Sequence, residues 1–450
     1  MKIRTSFTSL LLLVVNLPFA KAQSISVDTV TNNVAIALGK SVKLTIGGQF
    51  REMYQYYNNE KWGDIPSKLI DKNGFYWHRI ILSGNWQFGS KINLFSELTS
   101  SLVSGREGGN RPSIDYNELD ISQLYFLITA FQKSKGIFKI KVGRQMYSFG
   151  SQRLITTRDG PNNRLSFNGA TAIYKKGDFV LTTFIAQPIY NKFNVFDDSV
   201  VKSQTVWGAN LTRQQPGKAT RWELYYYGYS NSSIMLAGNL GKDVRHSVGL
   251  FLTSRIKDWE FETEPVLQFG KFNTKKVFGY SVFFKAQNKL LLNKITIIPS
   301  LSLAAFSGNR KSNGNTLNTY NPMYPKPPFG LIAPLGPVNL LNCNPGIQIS
   351  PDNDWQFSLS SDIFWRESNA DGLYTPAISP AIQQIYPADS PTVKHSKFIG
   401  KDYIAKIDYK MSNYLSFGFL GGYFMAGNYL KQTGKGKDIT YLSGNINLKF

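Results

Sequence analysis

The sequence predicts an all-β, single-domain protein, a transmembrane antiparallel β-barrel of about 18 strands, with about 16 also compatible. The first observation is the C-terminal run from Thr440 to Phe450, whose side chains alternate between apolar and polar. This period of two is the repeat of a strand, and one lipid-facing and one wet face are typical of an outer-membrane barrel. The second observation is that the alternation recurs from residue 41 onward, and the third is that short and long connections alternate between the segments.

In the terminal run, the apolar face consists of Leu442, Ile446, Leu448 and Phe450, and the polar face of Tyr441, Ser443, Asn445, Asn447 and Lys449. Alternation of the same kind predicts strands at 42–51, 76–88, 91–104, 119–131, 137–147, 168–177, 178–188, 203–213, 218–229, 244–255, 258–270, 276–287, 294–306, 338–349 and 402–410. The strand at 338–349 keeps the strand directions alternating, although its Pro345 cannot donate to a ladder. A soluble sandwich or propeller is the alternative, but the segments have the roughly 9–11 residues that a tilted membrane strand needs.

The connections predict which barrel end carries the large loops. Longer polar loops are predicted at 57–75, 105–118, 148–167, 189–202, 230–243, 307–337, 368–401 and 426–437. Short turns lie between them, as expected for periplasmic turns that alternate with extracellular loops. Two of the loops, 307–337 and 368–401, are rich in proline and either lie over the pore or fold into it.

The N-terminus predicts export. Residues 1–22 resemble a secretory signal peptide, with Lys2 and Arg4 before an apolar stretch and Ala20-Lys21-Ala22 as the cleavage site. A membrane anchor is the alternative, but the stretch is shorter than the roughly 20 residues of a spanning helix. We therefore expect a signal peptide at 1–22, a periplasmic segment at 23–40 and a barrel at 41–450, in the outer membrane of a Gram-negative bacterium.

Composition narrows the partners. The formal net charge is +22, and aromatic residues make up 14% of the chain. A basic exported protein is expected to meet anions, such as lipopolysaccharide phosphates or a polyanionic solute, and the aromatics suit the girdles of a barrel. The single cysteine, Cys343, excludes an internal disulfide, and no nucleic-acid-binding motif is present.

The segment 142–169 is the candidate selectivity filter. Its charged residues in this prediction are Arg144, Arg153, Arg158, Asp159 and Arg164. A ring of arginines in a pore selects anions, and the planar guanidinium binds carboxylates with two parallel hydrogen bonds. An ordinary exposed loop is the alternative. Strict alternation would turn Arg144 toward lipid, so the filter requires an irregularity or a strand end near Gly143.

Alternation also places basic residues on the lumen wall, and those predicted to support the filter are Arg51, Arg79, Arg245 and Lys285. Acids such as Glu97, Glu223 and Glu262 share that face. Mixed charges of this kind produce a transverse field in a pore, or they simply pair with one another.

The histidines give little support to an enzyme. His78, His246 and His395 lie in no metal-binding spacing, and no local serine motif accompanies them. We therefore predict no catalytic residues, no metal and no cofactor.

Several sequence blocks resemble the alginate-export family of Gram-negative outer-membrane barrels. They are Gly47-Gly-Gln-Phe-Arg51, Leu119-Asp-Ile-Ser-Gln-Leu-Tyr125, Val142-Gly-Arg-Gln145, Ser148-Phe-Gly-Ser-Gln-Arg-Leu154, Phe167-Asn-Gly169 and Asn321-Pro-Met-Tyr-Pro325. The resemblance implies an 18-stranded barrel with an arginine-lined constriction that conducts a uronate polymer. We expect passive passage of an acidic polysaccharide such as alginate, with periplasmic export proteins as candidate partners. The alternatives are a general or small-anion porin and, from another class, a barrel enzyme or a surface binding protein.

Overall fold

The structure is a computed structural model, and the N-terminal residues 1–24, which include the predicted signal peptide, lie outside its described part. The described residues are 25–28, 33–37, 41–64, 72–107, 114–133, 136–213, 219–311, 314–326, 332, 334–376 and 384–450. No helix in these ranges has the length and apolar composition needed to cross a membrane.

The described chain forms a closed antiparallel barrel of 18 strands, which confirms the predicted fold class and the larger of the two strand counts. The strands are β1 (Val42–Asn58), β2 (Lys72–Phe88), β3 (Ile92–Ser104), β4 (Asn117–Lys133), β5 (Gly136–Gln145), β6 (Phe167–Lys176), β7 (Phe179–Tyr190), β8 (Gln204–Arg213), β9 (Thr220–Leu236), β10 (Asn239–Ile256), β11 (Trp259–Phe272), β12 (Lys275–Asn288), β13 (Ile295–Phe306), β14 (Leu340–Ser350), β15 (Trp355–Ser360 and Ile363–Arg366), β16 (Phe398–Lys410), β17 (Leu415–Ala426) and β18 (Ile439–Lys449). Each strand pairs with the next, and β18 pairs with β1.

Shorter elements decorate the two ends. An N-terminal hairpin of Ile25–Asp28 and Asn33–Ala37 extends the edge of β1. The others are Glu60–Gly63 (a 3-10 turn), Ser199–Val200, Leu290–Leu292, Thr316–Leu317, Leu373–Tyr374 paired with Gln384–Tyr386, and the helix Asn428–Thr433. The periplasmic location of segment 23–40 stays a prediction.

The two faces of the barrel follow the predicted alternation. On β18, Leu442 and Ile446 are exposed on the outside, whereas Tyr441 and Ser443 are buried toward the lumen. On the other strands the exposed outer face is likewise rich in large apolar side chains, and the lumen face carries buried polar ones. The outer surface therefore suits hydrocarbon, as expected for a membrane barrel.

One predicted loop is wrong. Residues 230–243 do not form a loop, because β9 and β10 continue through them and join at Ala237 and Gly238. Both residues have positive φ, 46° and 74°, which is the backbone of a tight two-residue hairpin turn. The extended strands are stabilised by an apolar cluster consisting of Ile234, Leu236, Phe272, Val277, Leu317, Val338 and Tyr374. These contacts come from distant parts of the chain, so the local sequence does not reveal them. The polar residues 230–233 therefore led to the prediction of a loop where a strand continues.

The seam between β1 and β18 closes on the last residue. Gly48 N donates to Phe450 O at 2.8 Å, and Phe450 N donates to Gly48 O at 3.1 Å. The Phe450 ring lies over Gly48, where a Cβ would be 2.4 Å from ring carbon Cζ and 2.8 Å from Ile81 O. Only glycine leaves room for the terminal aromatic ring at this position.

We expect Gly48→Ala to destabilise the barrel, since the added methyl group overlaps both the ring and a backbone oxygen. Overpacking of this kind typically costs about 1–3 kcal/mol. Gly444→Ala is the matched control on the partner strand, because a Cβ there meets nothing within 4 Å. Urea unfolding in detergent micelles measures both changes, and an equal effect of the two substitutions would contradict the packing argument.

Candidate functional site

Two connections enter the barrel and meet inside it. We call them the first inner segment (146–166, between β5 and β6) and the second inner segment (the described residues 307–311, 314–326, 332 and 334–339, between β13 and β14). They pair in parallel at Ile155 and Tyr324. Tyr324 N donates to Leu154 O at 2.9 Å, and Thr156 N donates to Tyr324 O at 3.0 Å. The pairing satisfies backbone groups that are buried away from water.

The first inner segment is attached to the wall at β1–β3 through one asparagine and two arginines. Asn162 Nδ2 lies 2.9 to 3.2 Å from the carbonyl oxygens of Asp115, Leu102 and His78. Arg51 donates to the carbonyl oxygens of the Asp159–Pro161 turn, at 2.9 Å for Pro161.

Arg79 completes this attachment. It is fully buried, and its guanidinium donates to Asp159 Oδ1 at 3.0 Å and to Asp159 O at 3.2 Å. The Asp159 side chain itself is 65% exposed, so the pair joins a buried wall cation to a carboxylate at the lumen surface. Arg79 therefore fixes the turn of the segment as well as pairing its charge.

The same segment reaches the opposite wall, because β9–β11 lie about half the barrel circumference away from β1–β3. Arg153 Nη1 donates to Glu262 Oε1 at 3.1 Å, and its guanidinium stacks on the Phe283 ring. Gly150 N donates to Glu223 Oε2 at 3.0 Å, and Ser151 Oγ donates to Glu264. The first inner segment thus crosses the lumen from wall to wall.

The second inner segment is held by Arg245 and Gln268. Arg245 is fully buried, pairs with Asp243 at 3.0 Å and donates to Thr319 O at 2.8 Å. Gln268 forms two hydrogen bonds with the backbone of Asn321, at 2.8 and 2.9 Å. One predicted wall arginine is therefore an anchor of the second inner segment.

Aromatic rings fill the space between the inner segments and β6–β9. Tyr147 lies 5.0 Å from Phe184 between ring centroids, and Phe167 meets Tyr324 edge to face at 5.1 Å. Such pairs contribute about 0.5–1.5 kcal/mol beyond their buried area. The interlock of the two segments therefore has an apolar core of its own.

The remaining arginines of the predicted filter also have protein partners. Arg144 Nη1 donates to Asp120 Oδ1 at 3.0 Å, and Arg164 pairs with Glu97 at 2.5 Å. Arg158 is buried with φ 54°, and its Nε donates to Pro325 O at 3.3 Å. Burial lowers the pKa of Arg158 to about 10, which leaves it charged at neutral pH.

The irregularity expected near Gly143 is present as a backbone feature. Gly143 has φ 131°, and a Cβ there would lie 2.3 Å from Leu124 O, so the position requires glycine. The strand ends at Gln145, and Arg144 turns to Asp120.

A cavity of about 480 Å³ remains between the inner segments and β10–β15. Its lining residues are Gly150, Ser151, Gln152, Arg153, Phe251, Glu262, Phe283, Lys285, Ser302, Pro325, Lys326, Pro337, Asn342, Asn344 and Asp362. Arg153 and Lys285 are the two predicted site residues that reach it. Lys285 and Lys326 form no ion pair with any residue that the structure describes.

The structure thus places the predicted site residues around the lumen, but most of them bind other parts of the protein and do not line the cavity. Arg51, Arg79, Arg144, Arg158, Asp159, Arg164 and Arg245 hold the inner segments or the barrel wall. Sequence reasoning missed Asn162, Gln268 and Lys326. Pro161-Asn162-Asn163 offered a turn signal, but nothing in the sequence shows that one amide meets three carbonyl oxygens on a distant wall.

One group of three carboxylates in the described part of the chain is compact enough for a metal ion. Ligand atoms of Asp120, Asp197 and Asp198 all lie within 4.8 Å. Asp120 already accepts from Arg144, from Ile121 N and from Asp198 N, and Asp198 accepts from Lys192 N at 2.8 Å. These contacts dock loop 191–203 on β4, and burial raises the pKa of Asp198 to about 7.

We expect docking of loop 191–203 to weaken as pH rises. The docked loop raises the Asp198 pKa above its ordinary value of 3.8, so docking is most favourable below about pH 4 and loses free energy up to about pH 7. Phe196 N, which donates to Leu119 O, reports the docking. Its hydrogen-exchange protection factor should fall between about pH 4 and pH 7 in the wild type and stay level in Asp198→Asn. Equal slopes in both proteins would contradict this assignment.

We expect Asn162→Ala to loosen the first inner segment, because the segment loses the buried amide that joins it to three carbonyl oxygens. A hydrogen bond of this kind contributes about 0.5–1.5 kcal/mol, so the segment should detach from β2 and β3 and widen the lumen. Single-channel conductance in planar bilayers should rise. Thr157→Ala in the same segment is the control and should leave conductance unchanged, whereas unchanged conductance in both variants would refute the role of Asn162.

Comparisons with known proteins agree with this architecture. The chain resembles the crystal structure of Pseudomonas aeruginosa OccK2 (OpdF) with a TM-score of 0.57 and 10% identity, covering 90% of this chain and 97% of that one. A BenF-like porin from Pseudomonas fluorescens Pf-5 gives 0.56 at 10% identity, covering 90% and 98%. OccK2 (OpdF) in complex with glucuronate gives 0.53 at 8% identity, covering 90% and 96%. At these identities the likeness shows the fold of outer-membrane porins.

No curated protein sequence matches the chain. The family model for alginate export, in contrast, matches residues 42–443 and so takes in β1 to β17 and the first part of β18. The matched region includes both inner segments and the residues that anchor them. The chain therefore belongs to the alginate export family and is an outer-membrane β-barrel channel.

Proposed function

We propose that this channel passively admits carboxylated solutes, with uronates as the solute class. The observation that carries the proposal is the cavity between the inner segments, where Arg153, Lys285 and Lys326 face Glu262 and Asp362. Arg153 is already paired with Glu262, whereas the two lysines have no carboxylate within ion-pair distance in the described chain. A negatively charged solute would supply the missing partner.

The physical mechanism requires no covalent step. A carboxylate that enters the cavity loses water, and fixed ammonium and guanidinium groups replace those hydrogen bonds. Two separated lysines give two weak contacts in place of one tight one, so that release remains fast. This is the chemistry of a channel, in line with the non-enzymatic function that the sequence predicts.

The proposal divides the nine predicted site residues into two groups. Arg153 and Lys285 contact the solute. The other seven hold the inner segments in place, and anion selectivity then depends on them only through the shape of the cavity. We further propose that the signal peptide at 1–22 directs export, and that the outer surface of the barrel contacts membrane lipid and lipopolysaccharide.

The cavity volume supports a small solute. About 480 Å³ lies within the range of roughly 300–1,000 Å³ that is usual for small-molecule sites. Glucuronate, which OccK2 (OpdF) binds in its complex, is therefore a suitable probe for this channel.

A second candidate is passage of an acidic polysaccharide such as alginate, which the name of the family favours. A polymer needs a continuous path, and the two inner segments pair with each other inside the lumen at Ile155 and Tyr324. This function therefore requires both inner segments to move, and periplasmic export proteins are the candidate partners for such a step.

We expect glucuronate to reduce single-channel current in planar bilayers, and Lys285→Gln to weaken that block. Losing one charge contact near the solute amounts to about 1 kcal/mol, or roughly fivefold in the blocking constant. Lys175→Gln, at an exposed lysine on β6, six strands away from β12, changes the net charge equally and should leave the block unchanged.

The outcomes separate the candidates. Block by glucuronate that depends on Lys285 supports the small-solute channel. Block by oligo-uronates alone, without an effect of the monomer, supports the polysaccharide channel. Current that is indifferent to both solutes would refute the proposal and leave a general porin.

A further inference from the structure

The break in β15 brings two buried carboxylates together. The strand is interrupted between Ser360 and Ile363, where Asp362 N donates to Asp402 Oδ1 at 2.8 Å and Asp402 N donates to Asp362 O at 2.8 Å. Asp402 is 0% exposed, and Asp362 is 5% exposed. The interruption therefore turns an acidic side chain of β15 toward an acidic side chain of β16.

This pair has no counter-charge from the protein. Neither Asp362 nor Asp402 forms an ion pair with any described residue. Two adjacent buried carboxylates repel each other and lose hydration, so ionised forms without a cation would be strongly unfavourable. The position therefore requires either a bound cation or a retained proton.

Two oxygen atoms at the break distinguish these possibilities. Asp402 Oδ2 and Asn342 Oδ1 are both buried and receive no hydrogen bond from the described chain. The Asn342 residue as a whole is only 4% exposed, so water does not readily replace the missing donor. Asn342 Nδ2 donates to Asp362 Oδ1 at 2.9 Å, which places the amide beside the carboxylate pair. A single proton would satisfy only one of these oxygens, whereas a cation can take both as ligands, and buried acceptors are normally satisfied.

The donor atoms select a hard cation. Carboxylate and amide oxygens are typical calcium ligands, and calcium takes six to eight oxygens, including water. Zinc prefers nitrogen and sulfur, and the neighbouring Cys343 points to the other face of the sheet because successive strand residues alternate. The chemistry therefore fits calcium better than a transition metal.

The site has an entry path. Asn342 and Asp362 line the 480 Å³ cavity, together with Asn344. A hydrated cation can approach from the lumen, keep water on its cavity side, and bind Asp402 behind Asp362. Three strands, β14, β15 and β16, contribute the three ligands, so a bound ion would cross-link the wall where β15 is broken.

We propose that Asp362, Asp402 and Asn342 form a calcium site in the barrel wall, open to the lumenal cavity. The site neutralises the acidic side of the cavity and leaves Lys285 and Lys326 to dominate its field. Calcium binding is independent of any solute, so the proposal stands or falls separately from the proposed uronate passage.

The test is direct binding of radioactive calcium to the refolded full chain in detergent. The wild type should bind one ion per chain, with saturation by about 1 mM as for extracellular calcium modules. Asp402→Asn should abolish that binding. Asp408→Asn is the matched control on the same strand, since Asp408 pairs with Lys406 at 2.7 Å and is remote from the break. Heat-modifiable gel mobility verifies that each variant has folded.

A second variant protects the test against misfolding of Asp402→Asn. Asn342→Ala keeps both carboxylates and removes only the amide oxygen, and it should weaken calcium affinity by roughly tenfold or more, the loss typical even of residues that only orient a ligand. Unchanged affinity in this variant, or equal binding by Asp402→Asn and the control, would overturn the proposal. Absence of saturable binding by the wild type would also overturn it and assign a shared proton to the pair.

Discussion

The whole molecule depends on closure of the backbone hydrogen-bond ladder between β1 and β18. In hydrocarbon no water is available to an unpaired strand edge, so every outer strand must have two neighbours. The pairing of Thr440 with Asn58 through Lys449 with Gln49 meets that demand along the full seam. Closure also encloses a lumen lined by polar side chains. The two inner segments occupy this lumen and form hydrogen bonds with those side chains.

Inside the barrel, guanidinium groups take the place of water. Arg51, Arg79 and Arg245 direct their donors at carbonyl oxygens of irregular backbone, which would otherwise be buried without partners. Arginine suits this task because its rigid fork offers five donors and remains charged when buried. The positive charge of the lumen is therefore largely committed to structure, and the cavity retains only the part carried by Arg153, Lys285 and Lys326.

The sequence predicted the fold well because alternation reports a local property, the solvent on each face of a strand. It therefore placed the faces of β18 correctly and required the strand that contains Pro345. It failed at 230–243, where Ile234 and Leu236 are held by residues from distant loops. It also predicted a group of lumen arginines without their partners, since the contact of Arg158 with Pro325 or of Arg79 with Asp159 depends on how two segments cross a closed lumen.

The interlock of the inner segments has a consequence for assembly. Arg158 and Pro325 are 167 positions apart in the chain, and each segment is anchored on a different part of the wall. Contacts of such long sequence separation form late, because the entropy of closing the intervening chain is lost before the contact contributes. The two hairpins that carry the segments must therefore be in place before this contact can form. Filling of the lumen is therefore expected to be a late step of folding, and a partly assembled protein would expose its aromatic interior to water.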